Sequence, residues 1–226
     1  MTENENLPLN RQIALIRRQI IASRNGETLH QMQREGILYK KSYGVDIPRL
    51  RQIAAAWKSD KQIAEQLWTL SIRETQILAT MLYPPEEFDR HTAEKWLKDF
   101  TQTELIEQAV QNLLCKLPYA ETLCIEWIEK EDYKAQTCAF LTAARIYQSL
   151  STDSRQKINQ KAILIASSED YSLVRSISVC LSRFCRIDAA SREEVNSVLI
   201  QLPESKQAKL ITDVVKQEIA FIEEAS

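Results

Sequence analysis

Residues 103 to 111 place Glu104, Glu107, Gln108 and Gln111 on one side of a helix whose other side carries Leu105, Ile106, Ala109, Leu113 and Leu114. Two carboxylates at i, i+3 stand one turn apart, close enough for acid–base work or for stabilising a cation. The plain alternative is a solvent-facing helix surface. A second set is cationic. With about 100° of turn per residue, Lys134, Thr137 and Arg145 fall on one side of their helix. In the next long helix Arg175, Ser178, Ser182, Arg183 and Arg186 share one side within roughly 140°. Lys206, Lys209 and Lys216 make a comparable stripe on the last helix. Repeated stripes on stacked helices would line a groove for a polyanion, whereas scattered arginines on a solvated face would carry no ligand.

Charge is segregated along the chain. The 226 residues hold 29 Lys and Arg against 31 Asp and Glu, a formal charge of −2. Yet residues 133–216 carry 12 basic and 8 acidic side chains, while 121–132 carry five acids and one lysine. Glycine occurs 3 times and proline 6 times, far below the usual ~7% and ~5%. That scarcity excludes turn-rich all-β folds and glycine-rich phosphate loops. A hydrophobic content of 44% with mean hydropathy −0.32 describes a globular chain with a real core. No run approaches the ~18 apolar residues of a membrane span, and the polar start Met1 to Asn6 is no secretory signal. Cys115, Cys124, Cys138, Cys180 and Cys185 sit in apolar stretches with no C-x-x-C, so reduced, buried thiols and a cytoplasmic location are expected. Only His30 and His91 are present, neither with a partner at ligand spacing, so neither metal nor cofactor is expected. Trp57, Trp68, Trp96 and Trp127 could stack on bases, but in apolar stretches they read as core.

Helical punctuation recurs throughout. Asp46-Ile-Pro48 is a cap followed by an early-turn proline, and Asp60 can cap the helix of Ile63 and Leu67. Ser71-Ile-Arg-Glu74 and Thr101-Gln-Thr-Glu104 both read as capping boxes, with each glutamate reaching back to the cap amide. Pro84-Pro85 and Pro118 separate helices. Later helices are expected over about 133–147, 153–166, 171–187, 189–200 and 204–223. Glu131-Asp-Tyr133 and Glu169-Asp-Tyr171 head two long helices 38 residues apart, and Glu204-Ser-Lys206 starts a third copy. A period near 38 built from helix pairs belongs to HEAT-like arrays, in which each pair buries its faces only by stacking on its neighbours. The expected fold is therefore all-α, a right-handed α-α superhelix of HEAT/ARM-like pairs, with a flexible tail over 1–9 and one repeat domain over 10–226.

Tyr43-Gly-Val-Asp-Ile-Pro-Arg-Leu-Arg51, then Leu67-Trp68 and Ile72-Arg-Glu74, resembles the DNA alkylation repair family, the AlkD-like HEAT-repeat DNA glycosylases. The resemblance spans most of residues 10–220. It implies binding of duplex DNA in a concave basic groove and excision of N3- and N7-alkylated purines. An alkylated purine is already cationic, so the enzyme has mainly to stabilise an oxocarbenium-like sugar with a carboxylate. Family members are thought to do this without flipping the base into a pocket.

By this resemblance Glu107 takes the catalytic carboxylate's position and Glu104 that of an earlier acid. Lys134, Arg145, Arg175, Arg183 and Arg186 become phosphate contacts. Thr103 stands where the family has an aromatic, Thr137 near its supporting arginine and Val179 near its second tryptophan. Glutamate is also one methylene longer than aspartate, and a carboxylate displaced by about 1 Å can cost ~10²-fold. Two rival readings stay open: a non-catalytic member that recognises DNA shape or damage, and a protein–protein scaffold favoured by the pI of 5.9.

Overall fold

The computed structural model describes residues 7–224, which fold into thirteen α-helices and two short 3-10 turns, with no strand among them. Residues 1–6 of the expected tail lie outside the described residues, and helix α1 already begins at Leu9. The helices form two compact units.

The first unit, Met1–Pro118, holds α1 (Leu9–Ala22), α2 (Gly26–Arg34), α3 (Ile47–Ala55), α4 (Lys61–Thr69), α5 (Arg73–Leu82), α6 (Arg90–Asp99) and α7 (Thr103–Asn112). Helix α5 lies at its centre, packed against α3, α4 and α7. Every residue of α5 except Met81 is buried, polar ones included. Around it Trp68 stacks flat on Trp96 with ring centroids 3.7 Å apart, and Phe100, Tyr83 and Phe88 meet this pair edge-on. Each such ring removes on the order of 150–250 Å² from water. The four tryptophans are therefore core residues, each at most 8% exposed.

The second unit, Tyr119–Ser226, holds α8 (Ala120–Ile128), α9 (Tyr133–Arg145), α10 (Thr152–Ile165), α11 (Tyr171–Phe184), α12 (Ala189–Gln201) and α13 (Lys206–Glu224). It is layered. Helices α8, α10 and α12 pack in succession as one layer, and α9, α11 and α13 as the other. The repeat in the sequence sets this order. Asp132 caps α9 through the Lys134 amide, Asp170 caps α11 through the Leu173 amide, and Ser205 does the same for α13 through Ala208. Each cap satisfies an amide that the helix itself leaves unpaired.

Asp46 and Asp60 cap α3 and α4 as the sequence indicates. The two capping boxes do not form. Ile72 and Gln102 occupy the cap positions of α5 and α7 without side-chain capping bonds, and Ser71 adopts a left-handed φ of 53°. Both glutamates are drawn away from their own helix starts by partners distant in sequence, because a buried charge gains more from several donors than from a single exposed cap amide.

Candidate functional site

Helices α5 and α7 meet along a polar seam. Arg73, Gln76 and Thr80 follow one side of α5, and Glu104, Gln108 and Asn112 one side of α7, both at helical spacing. Arg73 bonds Glu104 at one end, and Asn112 Nδ2 donates to Thr80 Oγ1 at 2.9 Å at the other. Gln76 and Gln108, at intermediate positions, are both buried.

A guanidinium only 3% exposed needs acceptors, and each nitrogen of Arg73 has at least one. Its Nε donates to Glu104 Oε2 at 2.8 Å and its Nη2 to Glu104 Oε1; Nη1 donates to the Val45 carbonyl at 2.7 Å and to Glu74 Oε1 at 3.1 Å. Burial opposes the charge on Arg73, but the bonds to Glu104 and the charges of Glu104 and Glu74 outweigh it, so its pKa stands above the ordinary value. Glu74, fully buried, accepts from Ser42 Oγ at 2.9 Å and from the Tyr43 and Val45 amides at 3.1 and 3.3 Å. The Tyr39 hydroxyl donates to Glu104 Oε2 at 3.1 Å, and burial, then the Glu104 charge, push its pKa far up.

Both oxygens of Glu104 are thus taken by Arg73 and Tyr39. Glu107, nearly a turn further along α7, is half-buried. Thr103, also half-buried, begins the helix. Composition and periodicity did not single out Arg73 or Tyr39 as partners of Glu104. The available signal was an Arg-Glu pair at the head of a helix with no other charged residue, where charges need a buried counterpart.

The five cations all lie in the second unit, and the two carboxylates in the first. Lys134 and Arg145 come from α9, Arg175 and Arg183 from α11, and Arg186 follows just beyond α11. Helices α9 and α11 pack side by side. The four arginines are exposed and Lys134 is half-buried. Arg145 and Arg183 occupy the same position, twelve residues after Tyr133 and Tyr171 respectively. Arg186 pairs with Glu218 of α13, which raises its pKa through that bond and charge. Two members of the sequence stripes leave the exposed side. Thr137 is fully buried, its hydroxyl without a partner among the described residues, and Ser178 is buried with its hydroxyl on the Val174 carbonyl. Their short side chains tolerate the helix interface that a lysine or arginine could not enter.

Among the described residues no three His, Cys, Asp or Glu side chains gather as a metal site, and no helix is long and apolar enough to cross a membrane.

Sequence comparison decides the family. The model for DNA alkylation repair enzymes matches residues 16–189. The chain belongs to the DNA alkylation repair enzyme family. Comparison with curated proteins gives no significant match. Among solved structures the chain is similar to one described as from "a new family of proteins related to the HEAT-like repeat DNA glycosylases with affinity for branched DNA structures". The TM-score is 0.79 at 11% identity, covering 92% of this chain and 94% of that one. At that identity the likeness establishes the fold, which is all-α and HEAT-like.

In this member of the DNA alkylation repair family, the motifs carrying the resemblance are architectural. Gly44 has φ +70°, and a Cβ there would lie 2.1 Å from the Asn25 carbonyl oxygen and 2.9 Å from the Leu29 amide. Only glycine fits that approach. Pro48 sits in the first turn of α3, where its missing amide costs nothing. Leu67 and Trp68 are core, and Arg73-Glu74 clamps the segment from Lys41 to Val45.

Proposed function

We propose that this DNA alkylation repair family protein binds duplex DNA, including branched forms, through the exposed cations of α9 and α11. The observation that carries the reading is the side-by-side packing of these helices with Arg145 and Arg183 at equivalent exposed positions. Duplex DNA carries one negative charge per ~1.7 Å of axis, so a cationic patch on rigid, packed helices gains affinity by releasing counter-ions. The described affinity of the structurally similar protein for branched DNA points the same way. Lys134 and Arg175 extend the patch, and Arg186 pairs with Glu218 of α13. Titrating a labelled duplex and a four-way junction at several salt concentrations tests the proposal. Affinity falling steeply with salt supports it. No binding at low salt leaves the protein–protein scaffold.

A second reading, excision of N3- or N7-alkylated purines, rests on Glu107. With both oxygens of Glu104 engaged by Arg73 and Tyr39, Glu107 is the carboxylate of α7 that this reading assigns to face a sugar cation. Glu104 then acts as the brace that fixes the start of α7. Thr103 supplies no aromatic wall and the tryptophans are core, so any excision is slow. Release of 3-methyladenine or 7-methylguanine from alkylated DNA tests it, and its absence at high protein concentration removes the catalytic role.

A further inference from the structure

We infer that Leu38 is a wedge that enters the base stack of bound DNA, an inference that rests on the DNA-binding reading above. Leu38 is 62% exposed, while Ile37 and Tyr39 on either side are half-buried. The exposure is not that of a loose loop. The Ile37 amide donates to the Met32 carbonyl at 2.9 Å, and the Leu38 carbonyl accepts from Gln102 Nε2 at 2.9 Å. Tyr39 is tied to Glu104, and the Lys41 carbonyl accepts from the Arg73 amide at 3.1 Å. The backbone is tied to α2 before, and to the starts of α7 and α5 at and after, an apolar side chain that projects into solvent.

The surroundings select the partner. Lys40 and Lys41 follow after Tyr39 and are exposed, Lys41 lying 5.7 Å over the Tyr43 ring, and no acid occurs between Gly36 and Gly44. The carboxylates that bond this segment, Glu74 and Glu104, are both paired with Arg73. A rigid apolar tip flanked by two cations matches a base step flanked by phosphates: the lysines meet the backbone and the leucine replaces stacking that its insertion breaks. A lone leucine on an anchored segment offers little area to a membrane, whose binding scales with buried apolar surface. Unstacking costs least where stacking is already interrupted, so the wedge favours branch points and weakened base steps over continuous duplex. The anchor residue Gln102 precedes Glu107 by five positions, about 8 Å along α7, so an unstacked nucleotide would lie near that carboxylate.

The test uses the full chain with a duplex and a four-way junction carrying 2-aminopurine at the central step or branch. Wild-type protein should raise the fluorescence of both probes and prefer the junction. Leu38→Ala should fold normally, keep the salt slope of duplex binding, lose the fluorescence rise and lose about tenfold of the junction preference. Leu38→Phe should retain both. A Leu38→Ala variant that unstacks and discriminates like wild type overturns the wedge while leaving DNA binding intact. Absence of DNA binding by the wild type at low salt overturns both. Binding to phosphatidylserine vesicles, lost in Leu38→Ala with DNA binding unchanged, would assign the tip to a membrane and overturn the wedge.

Discussion

Arg73 and Glu104, 31 residues apart in sequence, meet as a two-pronged ion pair across the α5–α7 seam, with Arg73 Nε 2.8 Å from Glu104 Oε2. Because Arg73 also holds the Val45 carbonyl and Glu74, this pair joins three parts of the first unit: the segment before α3, the central helix and the start of α7. Glu104→Gln should therefore cost about 3 kcal/mol, since it leaves a buried guanidinium short of a charged acceptor. Urea unfolding of Glu104→Gln beside the wild type measures this; a loss within about 0.5 kcal/mol would refute the bracing role.

Glu107 is tested by base release rather than by stability. Glu107→Gln should abolish whatever release of alkylated purines the wild type shows, with DNA affinity kept. If base release survives in this variant, the carboxylate has been misassigned.

The arginines of α11 should act on salt dependence. Arg175→Ala with Arg183→Ala should weaken duplex binding for all sequences alike and lower the slope of log K against log salt by about 1.8, roughly 0.9 for each phosphate that is no longer neutralised. Arg186→Ala removes a guanidinium that meets Glu218, and should lower the slope by less than the roughly 0.9 of a full phosphate contact. An unaltered slope in the double variant would place the DNA elsewhere.

Acid should loosen the caps of α6 and α12. Asp89 accepts from the Thr92 amide at 2.7 Å and Asp188 from the Ser191 amide at 2.7 Å, and these bonds hold both carboxyls below their usual pKa. A depressed folded-state pKa gives stability that is complete above the unfolded value, about 4, and is lost as pH falls through the folded one. Asp89→Asn with Asp188→Asn, which keeps a capping oxygen, should flatten the fall in urea midpoint between neutral pH and about pH 3. A fall as steep as in the wild type would show that other carboxylates set the acid limb.

Thiol reactivity should report the core. Burial pushes the Cys124, Cys138 and Cys180 thiols well up and that of Cys185 to about 11. Cys115 is half-buried. At about pH 8 an aromatic disulfide reagent should modify Cys115 first and the others only on unfolding, since thiolate rather than thiol reacts. Rapid modification of all five in the native protein would contradict this packing.

Local sequence carries much of this molecule. Scarce glycine, apolar residues at helical spacing, the aspartates at 46, 60, 132 and 170, and the Glu-Asp-Tyr repeat determine helix type, helix starts and the paired order of the second unit, because caps and amphipathic faces depend on residues three or four apart. Glu74 and Glu104 show where such local patterns stop being informative. Each stands where a capping box would use it, yet Arg73 and the backbone around Val45 claim both, and only the folded chain brings those groups together. Tertiary packing likewise decided that Thr137 leaves the cationic stripe and that Leu38 points outward from an anchored segment. A capping bond to one exposed amide is worth about 1 kcal/mol, whereas leaving a buried charge unpaired costs several, so the distant partner prevails.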